Sequence, residues 1–177
     1  MDHKKYQHAK DTSGQCADSG FSCEEQFKKL AESKGYEVLV AGRNLQFCHV
    51  DFILKKDDKQ WNFECKSRKK IRRADLEPTD EYCWIEFRRT DGKDGWIFGD
   101  ADYVVLEQKD EFLIVDRKEL LKLAEKLVDR TKTVARAEKA FNVSYRRFGR
   151  KDEISYISTA EIRKLKITIW PKQNTPN

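Results

Sequence analysis

The 177-residue chain has little of what most non-globular classes require: 8 glycines, 3 prolines, 3 histidines and a single methionine. So few glycines and prolines exclude a collagen-like or low-complexity chain. A bilayer-crossing helix needs roughly 20 consecutive apolar residues, and no run approaches that length. Met1 to Gly20 is polar and lacks the apolar centre of a signal peptide. These absences predict a soluble, non-exported protein with no membrane partner, built as one domain of ordinary size. The 5 cysteines are odd in number and stand singly at 16, 23, 48, 65 and 83, which argues against a secreted disulfide framework and for a reducing cytoplasm. His3, His8, Cys16 and Cys23 match no familiar zinc-finger spacing.

What the chain has in quantity is charge, 38% of its residues, unevenly placed. The net is +5, yet Lys66 to Arg73 carries 6 Lys/Arg and no acid, and Arg130 to Lys151 carries 8 Lys/Arg against Glu138 alone. Two basic blocks on an acidic remainder suit a phosphate backbone, with Arg68, Lys69, Lys70, Arg72 and Arg73 in the first and Arg146, Arg147, Arg150 and Lys151 in the second. Solvated helix faces or loops are the plainer alternative.

The strongest local pattern lies between the blocks. His49 to Leu54 is a short apolar, partly β-branched run, Lys55 to Gln60 is polar, and Trp61 to Lys66 alternates apolar with polar. A hairpin turning at Asp57-Asp58 places Asp51 directly opposite Glu64. Glu64 and Lys66 then share one face, while Trp61, Phe63 and Cys65 point to the other. Two acids at an open strand edge suit Mg²⁺, which takes oxygen ligands from one or two carboxylates, phosphate and water. The lysine either stabilises charge building on phosphorus or, with a lowered pKa, helps deprotonate the attacking water. An incidental Glu64–Lys66 ion pair on a surface hairpin is the alternative.

A third acid lies upstream. Ser22-Cys23-Glu24-Glu25 has capping-box form and predicts a helix from Ser22 to about Lys34, before Gly35. Glu25 is then taken up by the cap, whereas Glu24 shares its face with Phe27 and Ala31. A carboxylate on an apolar stripe needs a partner.

With a helix bearing Glu24, a strand at Tyr36 to Val40, then Asp51 and Glu64-Cys65-Lys66, the chain resembles the PD-(D/E)xK, or restriction endonuclease-like, nuclease superfamily. Asp51 matches the motif's aspartate, Glu64-Cys65-Lys66 its ExK element and Glu24 the helix glutamate. Val50 stands where the motif name has proline. The segment from Glu64 to Lys69 is similar to the same strand end in archaeal Holliday junction resolvases. A glycine-rich loop with Gly92, Gly95, Trp96 and Gly99 resembles one in small phage and bacterial nucleases. The resemblance implies an α/β fold with a mixed central sheet flanked by helices, hydrolysis of DNA with Mg²⁺ or Mn²⁺, and frequent homodimers. It implies catalytic roles for Glu24, Asp51, Glu64 and Lys66, with the Cys65 carbonyl joining the three acids as metal ligands. It also implies the cytoplasm of a bacterial, archaeal or phage-infected cell. An endonuclease, a junction or other structure-specific resolvase, and a catalytically silent nucleic-acid-binding module remain as readings.

Beyond this core, strands are expected at Tyr82 to Arg88, Ala101 to Glu107 and Glu111 to Val115, completing the sheet. A helix capped by Asp116 follows, its apolar face carrying Leu120, Ala124 and Leu127. The expected organisation is a disordered polar tail over 1–20, a nuclease core over 21–129 and a basic C-terminal extension over 130–177. In the extension, Tyr145 to Lys151 interleaves aromatics with arginines, a composition suited to gripping phosphates and stacking on unpaired bases. Ser158 is expected to cap a short helix, and Lys164 to Trp170 to form a strand.

Overall fold

The computed structural model describes residues 15–172 apart from Arg73, with side chains from residue 20 onward. His3, His8, the Cys16 side chain, the Arg73 phosphate contact and residues 1–14 of the expected tail lie outside the described residues. The elements in chain order are α1 (Gln15–Ser33), β1 (Glu37–Val40), α2 (Arg43–Phe47), β2 (Phe52–Lys56), β3 (Lys59–Lys66), β4 (Tyr82–Arg88), β5 (Tyr103–Glu107), β6 (Glu111–Asp116), α3 (Arg117–Leu127), β7 (Asp129–Val134), β8 (Val143–Tyr145), β9 (Glu153–Ser158), α4 (Thr159–Ile162) and β10 (Ile167–Pro171). They form an α/β protein with two mixed sheets and flanking helices. The central sheet has the order β1-β2-β3-β5-β6-β10, and a second sheet the order β4-β9-β8-β7.

The β2–β3 hairpin has the register read from the sequence. Phe52 pairs with Phe63 and Leu54 with Trp61, and Asp57 and Asp58 hold positive φ angles of 50° and 59°. Two consecutive left-handed residues make the tight turn whose twist matches paired strands, and aspartate tolerates that conformation better than most residues. β3 then runs parallel to β5, with Glu64 beside Val104. The expected open strand edge is therefore corrected: β3 is an interior strand, and Glu64 is only 3% exposed.

Each face of the central sheet buries its own apolar cluster. On one side, α1 inserts Cys23, Phe27, Leu30 and Ala31 against β2, β3, β5 and β6. Phe27 is the hub, its ring 5.7 Å from Phe63 and from Phe112 and stacked 5.5 Å from Trp170 of β10. The expected start of this helix is also corrected. It opens at Gln15, so Ser22 and Glu25 lie inside it, Ser22 accepting from the Gln26 amide and Glu25 facing Lys29 at 3.6 Å. A capping pattern inside a helix is uninformative once upstream residues continue the turn.

The other face is covered by α3 and the second sheet. Asp116 caps α3 by accepting from the Lys118 and Glu119 N–H groups, and Leu120 and Ala124 are fully buried. β4, expected in the central sheet, instead pairs with β9, turning Cys83, Ile85 and Phe87 inward against Val104, Leu106, Leu113 and Val115. The stretch 130–177 contributes to both sheets, through β7, β8 and β9 on one and β10 beside β6 on the other. Residues 15–20 belong to α1. Among the described residues no helix is long and apolar enough to cross a membrane.

Candidate active site

Backbone pairing brings Asp51 to the strand that carries Glu64 and Lys66. Asp51 immediately precedes β2, and its N–H donates to the Phe63 carbonyl at 2.8 Å. Its side chain turns onto the same strand, where Oδ2 accepts the Cys65 N–H at 2.8 Å. Glu64 and Lys66 share the opposite face of β3 from Phe63 and Cys65, which are buried under α1. The Lys66 ammonium donates to Glu64 Oε1 and lies 5.7 Å from the Trp96 ring centre. His49 Nδ1 stands 3.7 Å from the same Glu64 oxygen.

The two facing acids are driven apart in acidity. Burial pushes Asp51 up, the negative Glu64 pushes further, and Lys66 and the Cys65 N–H offset only part of this, leaving a pKa of about 8. Burial raises Glu64 as well, but the Lys66 charge and the His49 contact outweigh it and bring that carboxyl down to about 2. Glu24 is raised by burial, with Lys66 opposing and Glu64 adding to the shift, so the α1 glutamate lies within electrostatic reach of the pair. Lys66 is lowered by burial yet raised overall by Glu64 and Asp51. Without a metal beside it, that direction favours the cation.

The expected site residues thus gather as follows. Asp51, Glu64, Cys65 and Lys66 lie on one hairpin, and Glu24 couples to them across the helix–sheet interface. His49 and Trp96 were missed. His49 reads as the start of a strand, but α2 ends just before it and its φ of 60° turns the chain back toward β3. Trp96 sits in a 3₁₀ turn, Trp96–Phe98, folded over Lys66. Gly95 and Gly99 permit that fold. A Cβ on Gly95 would lie 2.1 Å from the Glu86 carbonyl oxygen, and one on Gly99 2.6 Å from the His49 Cβ.

The donors suit a hard divalent cation. Among the described residues no three His, Cys, Asp or Glu side chains form a metal cage, but Mg²⁺ commonly takes one or two carboxylates and completes its shell with water and phosphate. Asp51 and Glu24 are each destabilised as anions by burial and by the charge on Glu64. A positive ion between them would relieve that conflict.

The basic residues separate into two kinds. Arg68 is engaged with Asp80 at 2.6 Å and with the Pro78 carbonyl at 2.9 Å, closing the base of the loop after β3. Arg147 is paired with fully buried Asp152. Lys69, Lys70, Arg72, Arg146 and Lys151 are exposed, Arg72 facing Asp75 at 3.1 Å, and Arg150 is half-buried.

No protein-family model, curated protein or solved structure matches this chain. The geometry of the site therefore carries the functional reading alone.

Proposed function

We propose that the protein is a metal-dependent deoxyribonuclease, an endonuclease of the PD-(D/E)xK, restriction endonuclease-like type. The observation that carries the reading is the Asp51 carboxyl accepting the N–H of Cys65, the residue between Glu64 and Lys66, with Lys66 held on Glu64. Asp51, Glu64, Glu24 and the Cys65 carbonyl would hold Mg²⁺ or Mn²⁺. Such an ion polarises a phosphoryl oxygen and acidifies bound water.

The chain's own residues supply the rest. Lys66, half-buried beside Trp96 and favoured in its charged form by Glu64 and Asp51, stabilises the negative charge that grows on the phosphoryl oxygens as a water oxygen bonds to phosphorus and the P–O bond to the leaving group breaks. His49 stands against the same Glu64 oxygen as the lysine and helps to hold that carboxylate. Lys69, Lys70, Arg72 and Arg146 contact backbone phosphates without reading bases.

The test is cleavage of supercoiled plasmid, linear duplex, single strands and a four-way junction with Mg²⁺, Mn²⁺ or EDTA. Metal-dependent cutting that Lys66→Ala abolishes supports the assignment, and preference for the junction would refine it to a resolvase. Intact DNA binding without cutting under any condition would replace it with a silent binding module.

A further inference from the structure

The outer face of the second sheet carries a continuous line of aromatic rings. β4 alternates, so that Cys83, Ile85 and Phe87 face the core while Tyr82, Trp84 and Glu86 face outward, half-buried. Trp84 is paired across the strands with Tyr156, whose buried ring lies 5.0 Å from Trp84, 5.2 Å from Tyr82 and 5.7 Å from Phe141. Tyr145 extends the row, 6.4 Å from Trp84. These rings are not sealed under another layer. Phe141 is 45% exposed, and Tyr82, Trp84 and Tyr145 each keep part of their surface in solvent.

Charge is organised around the same row. The Trp84 indole N–H donates to the Lys70 carbonyl at 3.3 Å, tying the row to the basic loop that follows the catalytic strand. Tyr145 leads directly into Arg146 and then Phe148, a completely exposed ring. Two basic segments far apart in sequence thus converge at the Trp84 end. Half-exposed rings bordered by lysine and arginine complement single-stranded nucleic acid, whose bases offer π-faces and whose phosphates are anionic. A paired duplex hides its base faces and leaves the rings unused.

We propose that this face binds an unpaired stretch of nucleic acid, its bases stacking on Phe141, Tyr82 and Trp84 and its phosphates lying along Lys70 and Arg146. Combined with the nuclease reading, on which this last step rests, the substrate carries a single-stranded segment beside the bond that is cut.

The test is fluorescence anisotropy in EDTA with a labelled oligothymidine of about 12 nucleotides, its abasic counterpart and a blunt duplex. The protein variants are wild type, Phe141→Ser and Tyr82→Ser, with thermal unfolding as the check on folding. Each ring lost should weaken oligothymidine binding by at least about fivefold, leave duplex binding nearly unchanged, and narrow the difference between oligothymidine and the abasic strand. Unchanged oligothymidine affinity in both folded variants, or equal losses on duplex, would overturn the proposal. DNA or RNA oligonucleotides of the same length tell which sugar is preferred. Because no cleavage is needed, ring-dependent binding by a protein that never cuts would leave this inference standing while removing the nuclease reading. Cutting with ring-independent binding would do the reverse.

Discussion

Asp51 accepts the backbone N–H of Cys65, so the first acid of the site is anchored on the residue between the other two members, Glu64 and Lys66. That bond fixes the Asp51 carboxyl beside β3 whatever its protonation state, because either a carboxylate or a carboxyl oxygen can accept. On the proposed nuclease reading, metal binding would require a proton to leave rather than a side chain to move.

The metal should accordingly compete with a proton. With Asp51 at about 8, Mg²⁺ or Mn²⁺ affinity is expected to rise by up to about tenfold per pH unit between pH 6 and 8 and to level off above. Calorimetric titration in buffers of different ionisation enthalpy should show close to one proton released. An affinity flat across this range would exclude Asp51 as a ligand that must ionise.

The same shift has a consequence for stability without metal. A carboxyl raised in the folded state holds a proton that the unfolded chain has already lost, so its contribution is complete below the ordinary aspartate range and declines as pH rises toward about 8. Metal-free protein should lose up to about 1.4 kcal/mol per pH unit from this group across that window. Asp51→Asn, which can keep the bond from Cys65, should flatten the dependence in urea unfolding at pH 5, 6, 7 and 8. Glu64 acts oppositely, its contribution disappearing only as pH falls toward about 2.

Lys66 is tied into the structure as the partner of Glu64. Lys66→Met leaves a buried Glu64 charge without its partner and should destabilise the protein by about 3 kcal/mol, while Lys66→Met with Glu64→Gln should recover most of that loss. Neither variant should cut DNA. Recovery of cleavage along with stability would remove the lysine from the reaction.

Gly99 should prove more important to activity than a loop glycine ordinarily is. Gly99→Ala places a methyl group against the His49 Cβ and the Cys48 carbonyl oxygen, at 2.6 and 2.7 Å, and should cost about 1–3 kcal/mol. Because His49 braces Glu64, turnover measured well below the melting temperature should also fall. Full turnover in the folded variant would show that His49 has no part in holding the site.

The basic residues should divide in the same way. Arg147→Ala strips the partner from buried Asp152 and should destabilise by about 3–5 kcal/mol, whereas Lys70→Ala should leave stability alone and reduce the salt dependence of DNA binding by about one phosphate contact. A Lys70→Ala salt slope equal to wild type would place the phosphate path elsewhere.

Much of the site was legible because it is local. The register of β2 and β3 follows from alternation and from a turn at Asp57-Asp58, both properties of about fifteen consecutive residues, and it brings Asp51, just before β2, to the end of β3 that carries Glu64 and Lys66. Glu24 was legible for a related reason, as an acid on an apolar helix stripe. The caps at Asp116 and Ser158 needed only their own neighbours.

What the sequence by itself determined, then, is the local geometry of the hairpin and the chemistry of its three side chains. The tertiary structure alone decided that β3 is interior, that β4 joins β9 in a second sheet, and that His49 and Trp96 close over Glu64 and Lys66. It also decided that burial raises the pKa of Asp51 while Lys66 and His49 lower that of Glu64, and that Arg68 and Arg147 are engaged with acids while Lys70 and Arg146 face solvent. These outcomes depend on which distant segments pair and on how much water they exclude. Neither strand pairing across seventy residues nor the desolvation of a charge is encoded in the few residues around it.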